Sequence, residues 1–245
     1  MNKRNRLTVG MIATIILLAC ACPATSLTPI AEEPTTSIPV IPTEPDIPII
    51  PTIETSSALL RDDFSVPSAE LETFSDDSGS AETKDGVYVV RSTGELWNWG
   101  ASTSEFNDTV IEFDTTTTIA PANNNAGSGV ICRMHAREDN SIDGYLLAIS
   151  ADGFYSIRSI VSSSMDPLVD WTYSDTINQG NLENTIRATC NGSELILEVN
   201  GEVLATASAT ADGPTSGAIA FAAVSFETGE PLAEVHYDNL VVSAP

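Results

Sequence analysis

Between residues 58 and 245 the apolar positions recur at every second residue rather than every third or fourth. Along Thr109 to Ile119, Ile111, Phe113, Thr115, Thr117 and Ile119 alternate with Val110, Glu112, Asp114, Thr116 and Thr118. In Glu194 to Asn200, Leu195, Leu197 and Val199 share one face. A period of two sends successive side chains to opposite sides of an extended chain, so these runs predict strands buried on one face. Asp-Gly or Asn-Gly steps begin at 85, 143, 152, 191, 200 and 212. Such steps supply the positive φ that tight hairpin turns need. They predict a hairpin of Tyr145 to Ser150 with Phe154 to Val161 around Ala151-Asp152-Gly153. A second hairpin pairs Glu194 to Val199 with Glu202 to Thr206 around Asn200-Gly201. No window carries a capped amphipathic helix. Many short strands in one all-β domain mean a sandwich or a barrel.

Upstream the pattern changes twice. Lys3, Arg4 and Arg6 precede thirteen mostly apolar residues, Leu7 to Ala19, and then Leu17-Leu18-Ala19-Cys20 closes the run. A membrane span needs roughly 18 or more apolar residues, so residues 1–19 read as a cleaved secretory signal. The cysteine after Leu-x-Ala resembles the lipobox, in which the thiol carries a diacylglycerol at the new N-terminus; Cys20 fits better than Cys22. A plain signal with an incidental cysteine is the alternative. The expectation is an extracytoplasmic protein anchored by lipid to the cell membrane, or to an outer membrane where the host has one. Several acyl chains would make that attachment stable. From 20 to 57 the chain holds eight of its fourteen prolines, no glycine, five acidic residues and no basic one. That composition predicts a disordered, semi-rigid tether reaching up to roughly 100 Å at about 3.1 Å per residue. Residues 58–245 remain for one folded domain.

The formal charge of the chain is −24, and −27 without the three basic residues of the signal; Lys84 is then the only lysine. Phosphate backbones are bound through Lys and Arg, so nucleic acid is excluded as a partner. An acidic surface suits solubility, high salt or divalent cations and names no ligand by itself.

The order of landmarks in the domain carries a resemblance. Leu60-Arg-Asp-Asp-Phe64 opens it and Asp85-Gly-Val-Tyr-Val-Val follows. Next come Gly129-Val-Ile-Cys-Arg, Tyr145 to Ile149 with Asp152-Gly-Phe-Tyr-Ser-Ile, Asn184-Thr-Ile-Arg-Ala-Thr-Cys and Leu195 to Gly201. Gly217-Ala-Ile-Ala-Phe and Tyr237-Asp-Asn-Leu-Val-Val end the series. Together they resemble the concanavalin A-like lectin/glucanase superfamily, in the branch near laminin G-like and 3-keto-disaccharide hydrolase domains. The resemblance implies a two-sheet antiparallel β-sandwich, a jelly roll. It says little of function, because lectins, hydrolases and adhesion modules share that fold.

Cys132 and Cys190 remain once the lipobox pair is set aside, and both face the apolar side of predicted strands. Export permits oxidation, so a Cys132–Cys190 disulfide is expected; two buried free thiols are the alternative. Retaining family 16 hydrolases of the superfamily carry Glu-x-Asp-x-Glu or Glu-x-Asp-x-x-Glu on one strand. Here Glu112-Phe-Asp114 lacks the final Glu, with Thr116 or Thr117 in its place, so the acid/base half of the chemistry is missing. Glu112 and Asp114 then read as the polar face of a strand, opposite Arg133. His135 and His236 are the only histidines, too few to make a zinc site. Asp139, Ser141 and Asp143 copy the start of a calcium-binding loop, yet its twelfth position is Ser150 and no helices flank it; Ca2+ is the one cofactor that the sequence leaves open.

Trp97 with Trp99, and Trp171 with Tyr173, each share one side of a predicted strand. Flat aromatics with neighbouring Asn, Asp and Glu form sugar-binding faces, whereas aromatics also fill sandwich cores, and at least one member of each pair is expected inside. Trp97, Trp99, Trp171, Tyr173, Glu112, Asp114 and Arg133 form the expected ligand face. The leading expectation is a non-catalytic module binding a glycan. An envelope module for protein interaction comes second, and a glycosidase acting on a modified disaccharide third.

Overall fold

Asp85-Gly86 and Asn200-Gly201 place both residues at positive φ, 53° and 84° in the first and 51° and 83° in the second. This is the geometry that matches strand twist in two-residue hairpins, and it closes the turns Lys84–Val87 and Val199–Glu202. The computed structural model describes residues 58–229 and 232–245. The signal, Cys20 and the tether lie outside the described residues.

Fifteen strands are described: β1 (Ala58–Asp62), β2 (Phe74–Asp76), β3 (Gly79–Lys84), β4 (Val87–Ser92), β5 (Asn98–Phe106), β6 (Thr109–Ile119), β7 (Ala126–Ala136), β8 (Ile142–Ser150), β9 (Phe154–Val161), β10 (Ser164–Tyr173), β11 (Asn184–Asn191), β12 (Glu194–Val199), β13 (Glu202–Ser208), β14 (Gly217–Ser225) and β15 (Ala233–Ser243). No helix occurs among the described residues. One sheet runs β13-β12-β11-β6-β15-β4-β3-β2, with β1 joining it on β15; the other runs β10-β9-β8-β7-β14-β5. Every pairing between strands is antiparallel. Both predicted hairpins form, as β8–β9 and β12–β13. Asp143-Gly144, expected in a turn, lies instead inside β8, where Asp143 pairs with His135 and Gly144 with Ile160.

The core lies between the sheets. Alternate residues of β6, Ile111, Phe113, Thr115 and Thr117, point inward and are buried. Phe113, Phe221 and Tyr237 form a packed triad, with Phe221 stacked on Tyr237 at 4.2 Å and edge-on to Phe113 at 4.9 Å. Each such ring removes roughly 150–250 Å² from water, which makes the triad a large share of the core's hydrophobic stabilisation. Burial pushes the Tyr237 phenol far above its usual range, although its contacts with Gly129 and Ala222 oppose the shift. Its hydroxyl donates to the Ala222 carbonyl at 2.6 Å and accepts from the Gly129 amide at 3.2 Å. The two sheets are thus joined by a polar contact as well as by packing. They are also joined covalently: Cys132 of β7 and Cys190 of β11 form a disulfide, with 6.7 Å between their Cα atoms.

Candidate functional site

Most sandwiches keep their outer faces polar, and β11 and β12 do so here, alternating buried with exposed residues. The central strands of the six-stranded sheet do not. β14 and β8 are buried along nearly their whole length on both faces. The reason is a second apolar cluster on the outer face, built from Ala101, Ile131, Ile142, Leu146, Ala148, Ile160, Ala220 and Ala222. Trp97, Trp99, Trp171, Met134 and Met165 pack down upon it and remain partly exposed.

The register explains why indoles fit there. Across the sheet, Ser156 pairs with Ala148, Ala148 with Gly129, Gly129 with Ala222 and Ala222 with Trp99. Four small residues in a row leave room for rings to lie over the strands. One step further along, Gly127 pairs with Val224, and a Cβ on Gly127 would stand 2.8 Å from the Trp97 ring and 3.1 Å from Phe226. Trp97 immediately precedes one edge strand, β5, and Trp171 belongs to the other, β10. Six strands span about 24 Å at about 4.8 Å spacing. Yet Phe226 packs edge-on to both indoles, at 5.9 and 5.6 Å. The two rings therefore lean inward and help cover the small-residue floor, whose Ala148 and Ala222 are buried.

Beside Trp171 lies a depression of about 350 Å3 lined by Asn125, Ser150, Asp152, Phe154, Trp171 and Phe226. Phe154 packs edge-on to Tyr173 at 5.6 Å, which extends the aromatic wall outward. The polar wall is fixed from behind. Glu227 accepts from the Asn125 and Asn123 amides at 2.8 and 2.7 Å; these hydrogen bonds hold its carboxyl below the usual range. Ser150 donates to Asp152. The arrangement offers ring faces to apolar C–H surfaces and carboxylate and amide oxygens to hydroxyl donors.

The seven residues of the expected ligand face separate. Trp97, Trp99, Trp171 and Tyr173 gather on the outer side of the six-stranded sheet. None enters the core between the sheets, which corrects the expectation that one of each pair packs there: the small-residue floor gives the indoles a second surface to cover, and Tyr173 is 53% exposed. Glu112 and Asp114 sit on the outer face of the other sheet. Arg187 meets Glu112 at 2.7 Å, while Thr185 and Asn239 donate to Asp114 at 2.6 and 2.8 Å. Arg133 is not opposite Glu112. It occupies a bulge of β7 at φ 53° and is 2% exposed. There it donates to Asp108 at 2.8 Å and to the Gly192 carbonyl at 2.9 Å, a structural role.

The calcium expectation does not fit the donors. Asp139 accepts from the amide and hydroxyl of Ser141 within its own turn, and Arg137 occupies Asp143 at 2.8 Å. Among the described residues no group of three His, Cys, Asp or Glu is placed to hold a metal ion. Asn125, Asp152, Phe154 and Phe226 escaped the sequence reading, since all lie in or beside loops where a two-residue period carries no information.

No protein-family profile matches the chain, and no curated protein matches its sequence. Solved structures do match the fold. The carbohydrate-binding module CBM66 from Bacillus subtilis is 15% identical over 71% of this chain and 96% of its own, with a TM-score of 0.56. A prokaryotic β-1,3-1,4-glucanase (lichenase) derived from a mouse hindgut metagenome is 11% identical over 76% and 98%, with a TM-score of 0.53. A Bacillus subtilis protein of unknown function with a galectin-like fold is 12% identical over 76% and 95%, at 0.51. At these identities the likeness establishes the class of fold, an antiparallel jelly-roll β-sandwich of galectin-like type.

Proposed function

We propose that the domain is a non-catalytic carbohydrate-binding module, held outside the cytoplasmic membrane by lipid on Cys20 and carried on the Pro-rich tether. The observation that carries this reading is the depression in which Trp171, Phe226 and Phe154 face Asn125, Asp152 and Ser150. Ligand sites combine apolar and aromatic walls with a few placed polar groups, and pyranose rings present both kinds of surface. CBM66 and the lichenase share the fold, which makes a sugar ligand the natural occupant. A glycosidase needs a carboxylic acid with a raised pKa beside a second carboxylate. Glu112 and Asp114 are committed to Arg187, Thr185 and Asn239 on the far sheet. Beside the depression, Glu227 is shifted toward the ionised form, the wrong direction for a proton donor.

The test is binding of the intact protein and its Trp171→Ala and Phe226→Ala variants to a panel of polysaccharides, by affinity electrophoresis and calorimetry. Saturable binding lost in variants that keep their melting temperature is the expected result. Absence of binding to any polysaccharide would move the reading to an envelope protein-interaction module. In the same cells, fatty-acid labelling should disappear in Cys20→Ala, and label that persists would remove the anchor from that residue.

A further inference from the structure

The charges around the depression are one-sided. Asp152 lies in its wall. Glu227 stands directly behind Asn125. Asp170, 81% exposed at its side chain, precedes Trp171 on β10. Arg158, the cation beside the aromatic wall among the described residues, is already engaged. Its Nη1 donates to the Met165 carbonyl at 3.1 Å, its Nη2 lies 3.7 Å from Asp170, and its guanidinium sits 5.8 Å from the centre of the Trp171 ring. Among the described residues no Lys, Arg or His lines the depression. Four other arginines are held elsewhere, Arg187 on Glu112, Arg91 on Glu234, Arg137 on Asp143 and Arg133 in its bulge, while Arg61 and Lys84 line other depressions.

Carboxylate, sulfate and phosphate groups are recognised above all by paired Arg or Lys donors, and the described lining of the depression holds none. Its oxygens instead accept, which suits hydroxyls. A single negative charge held about 6 Å from a surface carboxylate is repelled enough to weaken binding on the order of tenfold. From this geometry we infer that the site selects uncharged glycan chains and rejects those bearing uronate, sialate, sulfate or phosphate. The inference rests on the glycan-binding reading above and specifies its ligand class. Salt sharpens the distinction. Binding of a neutral chain through ring faces and hydroxyls should be nearly indifferent to ionic strength, whereas the penalty on an anionic chain should shrink as the Debye length falls to about 3 Å at 1 M.

The experiment uses matched pairs on one backbone with the intact protein: hydroxyethyl- against carboxymethyl-cellulose, methyl-esterified against free polygalacturonate, and dextran against dextran sulfate. In every pair that binds, the neutral member is expected to bind at least tenfold more tightly at low salt. The gap should narrow at 1 M salt and in Glu227→Gln and Asp152→Asn. An anionic member that binds as tightly as its neutral partner, with affinity falling as salt is added, would overturn the inference while leaving glycan binding intact. If no member of any pair, nor any other polysaccharide, binds, the glycan-binding reading itself fails and the inference with it.

Discussion

The two outer faces of this sandwich are built on opposite plans. On the nine-stranded sheet, charged and hydroxyl side chains answer one another: Glu112 with Arg187, Asp114 with Thr185 and Asn239, and Glu234 between Arg91 and His236 at 2.7 and 2.9 Å. Burial would raise the Glu234 carboxyl, but His236, Thr118 and the Arg91 charge outweigh it and hold it low. On the six-stranded sheet, rings and small residues replace that network. A surface with nothing to bind gains little from apolar residues, and contiguous exposed apolar patches mark interaction sites. The polar face explains itself by solvation alone. The aromatic face, half-buried on its apolar cluster, is not explained that way.

The comparison can be broken at three points. The largest effect belongs to the link between the sheets. Cys132→Ser/Cys190→Ser, or reduction, should cost about 4 kcal/mol for a loop of this length in the chain-entropy model. By calorimetry that is a fall of roughly 10 °C in melting temperature, with ligand binding retained below the transition; an unchanged melting temperature would count against the cross-link's stabilising role. The second effect is confined to the aromatic face. Gly127→Ala puts a methyl group under Trp97 and Phe226, and binding should weaken about tenfold, equivalent to about 1.4 kcal/mol, without loss of the inner core. Unaltered affinity would show that Trp97 takes no part. The smallest lies on the polar face. Arg187 and Glu112 are each 43% exposed, and exposed pairs are worth at most about 1 kcal/mol. Arg187→Ala should therefore shift melting slightly and binding not at all, and a change in glycan affinity there would erase the contrast between the faces.

How much of this was legible beforehand differs between the same two faces. Where a strand is buried on one side only, alternation is the whole message: β11 and β12 follow it, and β6 does so from Ile111 to Thr118, while Val110, read as outward, is buried. Their hairpins follow from Asn191-Gly192 and Asn200-Gly201. The disulfide was legible too, from two cysteines on apolar faces in a chain whose start reads as an export signal. On β8 and β14 burial on both sides erases the period, so sequence could not separate inner from outer apolar positions. The Trp pairs share the outer face of the six-stranded sheet, as their spacing predicted that the members of each pair lie on one side. Their partners were not legible, because Phe226 and Asn125 are brought to Trp171 only by the way the loops beyond β14 and before β7 return to the sheet edge, and Phe226 lies just outside its strand. Arg133 misled for a similar reason: a bulge rotates it out of the alternation that its neighbours obey.

All three tryptophans of the chain lie on the outer face of the six-stranded sheet, while the inner core is built from tyrosine, phenylalanine and aliphatic residues. The protein's intrinsic emission is therefore a reporter wired to one surface. Excited at the indole band, it is blind to most of the fold and sensitive to whatever settles on that face, so a spectral shift on titration would register occupancy there without any added label.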